Sequence, residues 1–175
     1  MEKDNLNLEK IIRNIPDFPK PGILFRDITT LLKDKKGFKL AVDNLASRYK
    51  SKKIDLVVAV EARGFILGGA IAHKLGAGFV PVRKIGKLPW KTNSVTYELE
   101  YGTDTLEMHH DAIKPGDKIL IVDDLLATGG TVKAVIELVK QLQGKIAGIA
   151  FLIELTALKG KEKLKEFPSY SLIKY

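Results

Sequence analysis

The chain is 175 residues long and 45% hydrophobic, with 29 Lys and Arg against 21 Asp and Glu and a formal charge of +8. That length suits one domain around a single core. The even spread of apolar residues excludes a disordered chain, and no run approaches the ~20 apolar residues of a membrane span. Cysteine is absent, which excludes a disulfide framework and thiolate chemistry. The mixed charge of MEKDNLNLEK is unlike a signal peptide, and lysines scattered without interleaved aromatics argue against a nucleic-acid partner. A cytoplasmic domain with neither membrane nor nucleic-acid association is expected. A small polyanion, which needs only a few converging cations, stays open.

Leu8, Ile11, Ile12 and Ile15 recur at helical spacing and predict a short amphipathic helix. In PDFPKPG (16–22) three prolines fix φ and remove donors, so neither helix nor central strand fits. A helix is predicted over 38–50, with Phe38, Val42, Leu45 and Tyr49 on one face. DLVVAVE (55–61) reads as a buried strand, followed by a helix over about 65–75 and a further strand, FVPVRK, at 79–84. GKLPWKTNSV (86–95) has no period and reads as a mobile loop. The alternation of TYELEYG, a Gly-Thr-Asp turn and TLEMHHD predict antiparallel strands across 96–111. After a KPGD turn (114–117), KILIVDD is a buried strand. Val132, Val135, Ile136 and Val139 make the next segment an amphipathic helix, and 145–155 returns to strand. Strands alternating with helices imply an α/β fold, its parallel sheet covered on both faces, with sites at the strands' C-terminal ends. No linker divides the chain, so one domain spans 1–175.

The stretch ILIVDDLLATGGT (119–131) carries the chemistry. A buried strand ends in Asp123 and Asp124, and Ala127, Thr128, Gly129, Gly130 and Thr131 follow before a helix. A helix start offers unpaired N–H groups and a positive dipole end, glycine lets backbone approach a ligand, and threonines add hydroxyl donors; together these suit a phosphate. Neither G-x-x-x-x-G-K-[ST] nor G-x-G-x-x-G is present, which counts against a triphosphatase or a dinucleotide site. The two carboxylates would repel a polyphosphate but accept hydrogen bonds from a diol. A ribose 5′-phosphate presents both features. An N-cap carboxylate with a chance neighbour is the plainer reading, and Asp-Asp followed this closely by Ala-Thr-Gly-Gly-Thr is too specialised for capping alone.

VDDLLATGGT resembles the phosphoribosyl-pyrophosphate motif of type I phosphoribosyltransferases. IPDFPKPGILFRDIT (15–29), EARGF (61–65), VPVRKIGKLP (80–89), YELEYGTDTLE (97–107) and LIELTALKG (152–160) resemble the adenine-specific branch, in order along nearly the whole chain. The resemblance implies a type I phosphoribosyltransferase-like α/β fold with a small hood and a flexible antiparallel loop region. Residues 1–30 would form the hood and base-binding segment, and 31–175 the core with a lid at about 86–95. The implied substrates are adenine and 5-phosphoribosyl 1-pyrophosphate, the products AMP and pyrophosphate, and the assembly a homodimer. Specificity for hypoxanthine and guanine or for xanthine is one alternative. A regulator sensing a phosphoribosyl ligand is another, although about 15 residues before the first proline motif are too few for a helix-turn-helix.

The candidate residues follow from both sources. Arg63, just beyond a buried strand, and the basic Arg83, Lys84 and Lys87 suit pyrophosphate; for Lys84 and Lys87 a solvated surface is the competing explanation. Resemblance puts Glu100 beside the base as proton acceptor, with Tyr101 next to it, where spacing alone reads an exposed edge-strand carboxylate. It places the base against the ILFRD segment, which carries Arg26, with Phe25 and Leu155 as the flanks, both otherwise read as core. His73, His109 and His110 lack metal spacing. Mg²⁺ is expected mainly on substrate oxygens and water rather than in a protein cage.

Overall fold

The computed structural model describes residues 8–98 and 102–175. Residues 8–11 are helical, and β1 (Arg13–Ile15) then pairs antiparallel with β2 (Phe25–Asp27), matching Ile15 to Phe25 and Arg13 to Asp27. The predicted N-terminal helix is therefore shorter than its spacing suggested. Leu8 and Ile12 are buried as expected, but Ile15 belongs to a strand, because pairing with β2 satisfies its backbone where the following proline would end a helix. The loop between β1 and β2 is tied by the Gly22 N–H to Asp17 Oδ1 (2.7 Å) and by the Phe18 N–H to the Ile23 carbonyl (3.2 Å).

A short helix, α1 (Thr29–Lys33), leads into α2 (Lys35–Ser47), whose first turn is capped by Asp34 accepting the Gly37 N–H at 2.6 Å. The core units follow as β3 (Leu56–Val60), α3 (Arg63–Leu75), β4 (Gly78–Lys84), β5 (Thr92–Glu98), β6 (Thr103–His109), β7 (Lys118–Leu126), α4 (Gly130–Gln141), β8 (Lys145–Glu154) and β9 (Ser169–Lys174). They build a sheet of order β5-β6-β4-β3-β7-β8-β9, in which β4, β3, β7, β8 and β9 run parallel and the β5–β6 hairpin is antiparallel at one edge. Val57 and Ala59 pack under α2 and α3, while Val58, Ile119 and Ile121 pack under α4, so both faces are covered. This accounts for the unbroken apolar runs of β3 and β7.

The sequence reading did not contain α1, the β1–β2 pair or β9. The segment expected as a loop over 86–95 is also shorter, since Thr92 to Val95 pair with His109 to Leu106 in the hairpin. Among the described residues, no helix is long and apolar enough to cross a membrane.

Candidate active site

The order β4-β3-β7-β8 places a topological switch between β3 and β7. From β3 the chain moves to β4 on one side; from β7 it moves to β8 on the other. Loops leaving the C-terminal ends of two such strands diverge and open a crevice. β3 delivers Glu61, Ala62 and Arg63 to it, and β7 delivers Asp123 and Asp124. A cleft of about 520 Å³ lies there, lined by Glu61, Ala62, Arg63, Lys84, Tyr97, Asp104, Asp123, Asp124, Ala127 and Thr131. A small cavity of about 60 Å³ adjoins it, lined by Asp123 and by Ala127 through Thr131.

The two turns pack tightly. Gly64 sits where a Cβ would come within 2.9 Å of Asp123 Oδ1, so only glycine lets the start of α3 lie against that carboxylate. The Asp124 N–H donates to Asp123 Oδ1 at 2.9 Å. Arg63 Nε lies 2.7 Å from Asp124 Oδ2, an ion contact without hydrogen-bond alignment: that buried oxygen has no hydrogen-bond partner among the described residues. The Arg63 guanidinium also lies over the Phe25 ring, 5.2 Å from its centroid. Arg63 thus bridges the paired carboxylates and the hood. Burial pushes the Asp123 carboxyl well above its usual range, and the neighbouring Asp124 charge adds to it. Burial also raises Asp124, against the opposing pull of Arg63.

In the loop after β7, the left-handed residue is Gly129 (φ +82°), where a Cβ would stand 2.9 Å from the Gly160 carbonyl. Gly130 has only ordinary contacts at 3.5 Å or more. The requirement for glycine therefore falls on Gly129, not on Gly130, because Gly129 makes the turn into α4. Gly160 meets the same loop from below, with a hypothetical Cβ 2.2 Å from the Ala127 carbonyl. The TALKG segment supports the phosphate-type loop, a contact between distant parts of the chain that spacing could not reveal. Gly129→Val is expected to weaken a ribose 5-phosphate ligand by about tenfold or more, since a non-glycine residue there costs ~1–3 kcal/mol before any clash. Gly130→Ala should change it little. Calorimetric titration of both variants with ribose 5-phosphate checks this, and equal effects would count against it.

Of Arg83, Lys84 and Lys87, Lys84 alone joins Arg63 in lining the cleft, where it pairs with Asp104 of β6 at 2.9 Å. Arg83 and Lys87 are gathered by Glu61: Arg83 Nη2 lies 3.1 Å and Lys87 Nζ 3.4 Å from Oε2, and the Lys84 N–H donates to Oε1 at 2.6 Å. Burial acts to raise the Glu61 pKa, but the Lys84 amide and the two cations outweigh it and the net shift is downward. The Arg26 side chain is half-buried, stacking 3.7 Å over the Tyr175 ring and bonding Asn14. Leu155 is partly buried, its N–H donating to the Leu126 carbonyl at 2.9 Å. Glu100 and Tyr101 lie outside the described residues. Sequence reasoning missed Glu61, Tyr97 and Asp104. Glu61 carried a visible signal, a carboxylate ending a buried strand two residues before Arg63; Tyr97 and Asp104 depend on where the hairpin lies.

A second cleft, of about 500 Å³, lies between β5 and α4. Its charged groups, Glu98, Lys133, Glu137 and Lys163, are not buried, whereas the crevice between β3 and β7 encloses the paired aspartates.

The phosphoribosyl transferase domain model matches residues 28–174. An adenine phosphoribosyltransferase from Acidobacterium capsulatum is 60% identical over 168 residues, covering 96% of this chain and 93% of that protein. The crystal structure of adenine phosphoribosyltransferase from Thermoanaerobacter pseudethanolicus superposes with a TM-score of 0.95 at 53% identity, covering 98% of this chain and 99% of the other. That of the Saccharomyces cerevisiae enzyme, complexed with an imino-altritol bisphosphate and adenine, gives 0.92 at 40% identity over 98% and 99%. A paired carboxylate and an amide-lined turn at the β3–β7 switch, on a chain this similar over almost its full length, place it in one family: the chain belongs to the phosphoribosyltransferases, among the adenine phosphoribosyltransferases.

Proposed function

We propose that the chain transfers the 5-phosphoribosyl group of 5-phosphoribosyl 1-pyrophosphate to adenine, giving AMP and pyrophosphate. The carrying observation is Asp123–Asp124 near the C-terminal end of β7, which runs on through Leu126 to the Ala127–Thr131 cavity, with Arg63 against Asp124. The carboxylates accept the ribose 2′- and 3′-hydroxyls, which supplies the partner that Asp124 Oδ2 lacks. Amides and hydroxyls of 127–131 hold the 5′-phosphate at the start of α4. The ring nitrogen of adenine attacks the ribosyl C1 as the bond to pyrophosphate breaks, and the ribosyl centre becomes cation-like. The two aspartates offset that positive charge, and Arg63 with the 62–64 backbone meets the leaving pyrophosphate. Phe25 and Leu155 flank the base, and Arg63 must leave the Phe25 face for the base to stack there. The family resemblance assigns the purine proton to Glu100. No protein nucleophile is needed; the chain works by alignment and charge.

We place magnesium mainly on the ribose and pyrophosphate oxygens and on water, near the Asp123–Asp124 pair rather than in a cage of protein ligands. When bound, it would neutralise charge building on pyrophosphate. We also propose a homodimer, supported by the exposed Ile66 of α3 and Phe79 of β4. We place the reaction in the cytoplasm, because a multiply charged sugar phosphate cannot cross an apolar bilayer unaided.

Pyrophosphate release that requires both substrates together tests the assignment; absence of release with adenine would overturn it. A pH effect follows as well. Asp123 and Asp124 hold protons to higher pH in the folded chain than in the unfolded one, so their contribution to folding is best in acid and falls as pH rises through their raised values. Hydroxyl donors favour the ionised pair, so ribose 5-phosphate affinity should rise across the same window. Calorimetry as the pH is raised from acid toward neutral reads the trend, and affinity falling with pH would contradict the clamp.

A further inference from the structure

Glu107 has no part in the reaction above, yet it is a buried carboxylate, 4% exposed, in the middle of the hairpin. The strand registers set it opposite Arg83 of β4 and Ser94 of β5. Its neighbour Leu106 faces the cleft together with Lys84, so Glu107 and Arg83 project from the other face. There Glu107 Oε1 accepts the N–H groups of Lys87 (3.1 Å) and Leu88 (3.0 Å), and Oε2 accepts the Thr92 hydroxyl (3.2 Å). Burial alone would raise its pKa, but these donors, with the Gly86 amide, outweigh it and hold the group ionised.

Successive amides converging on one oxygen form a small anion nest, and here the protein's own carboxylate fills it. The turn begins at Gly86 (φ +79°) and places the Lys87 carbonyl 3.2 Å from Arg83 Nη1. Glu107 thus fixes the turn's backbone, while Glu61 gathers the Arg83 and Lys87 side chains. We propose that Glu107 is a positioning residue for pyrophosphate: by holding the 86–88 backbone it keeps Arg83 and Lys87 together as one pre-ordered dication. This rests on the reading that the basic segment meets pyrophosphate, whether in this chain's cleft or in that of a second copy. Without the anchor, the two cations must be ordered at the moment of binding, and affinity falls by that ordering cost. The segment read from sequence as a mobile loop is in this account a fixed one between Gly86 and Thr92.

The test is calorimetric binding of pyrophosphate with magnesium, and separately of AMP, to the full chain and its variants. Glu107→Met keeps volume and removes both acceptors; it is expected to weaken pyrophosphate about tenfold and AMP less than twofold, with Glu107→Gln recovering most of the loss. On a Lys87→Ala background, Glu107→Met should add little. If Lys87→Ala and Arg83→Ala leave pyrophosphate binding unchanged, the reading of the basic segment fails. If they weaken it and Glu107→Met does not, or if Glu107→Met weakens AMP equally, the positioning role fails. Hydrogen exchange on the unaltered chain needs no variant to fold: the Lys87 and Leu88 amides should be protected without ligand, and free exchange there would overturn the proposal.

Discussion

Adenine is expected to outcompete hypoxanthine by about 10⁴-fold when the two are offered at equal concentration, far more than pocket size alone achieves. Adenine presents a 6-amino donor and an N1 acceptor; hypoxanthine presents an oxo group and a protonated N1. Backbone groups held still can read that difference. The 16–24 loop is stiffened by three prolines and by the Asp17 and Phe18 bonds to Gly22 and Ile23, and β2 is fixed against β1. The Ile23 carbonyl already accepts one bond, which turns attention to the Leu24–Arg26 backbone as reader. A carbonyl facing the amino group and an N–H facing N1 would meet adenine and oppose hypoxanthine at both positions. The Arg26 side chain is committed to Tyr175 and Asn14, so Arg26→Ala should lower stability or rate more than base preference. A competition assay with adenine, hypoxanthine and guanine decides it. Hypoxanthine turnover within about tenfold of adenine would remove the backbone-reading mechanism.

The paired substitution Asp123→Asn with Asp124→Asn should lower kcat/KM by about 10²-fold or more, because each charge-assisted hydroxyl bond is worth ~1.5–3 kcal/mol and neighbouring effects do not simply add. Stability should move the other way. Two adjacent carboxyls that burial pushes upward are costly when ionised, and amides of the same shape remove that cost at neutral pH. Arg63 loses its partner but keeps a side chain 38% exposed to water. A melting temperature held or raised, alongside the lost activity, separates a functional clamp from a structural pair. Intact turnover in the double variant would show that the ribose hydroxyls bind elsewhere.

The clustering of these residues was legible because it is local: Asp123 through Thr131 lie on one strand–loop–helix unit, so residue type and spacing suffice to propose a diol clamp beside a phosphate turn. Arg63 was legible for the same reason, following an apolar strand. The covered parallel sheet also followed from the runs themselves, since strands such as LVVAV are buried on both faces. Assigning the demand for glycine needed coordinates. Gly129 and Gly130 look alike in the sequence, and only the turn into α4 and the nearby Gly160 carbonyl distinguish them.

The amino-acid sequence by itself determined the α/β class and most helices and strands between α2 and β8, and it supports the proposal of which groups would meet a ribose phosphate, because periodicity and residue chemistry act over a few neighbouring positions. Tertiary structure decided which strands adjoin, and hence that the crevice opens between β3 and β7. It also turned Ile15 from helix to strand, and it paired Thr92 with His109. Glu61 was set among Arg83 and Lys87, and Glu107 beneath the 86–88 turn. These are contacts between residues far apart in the chain, whose energies depend on register and burial that no local pattern encodes.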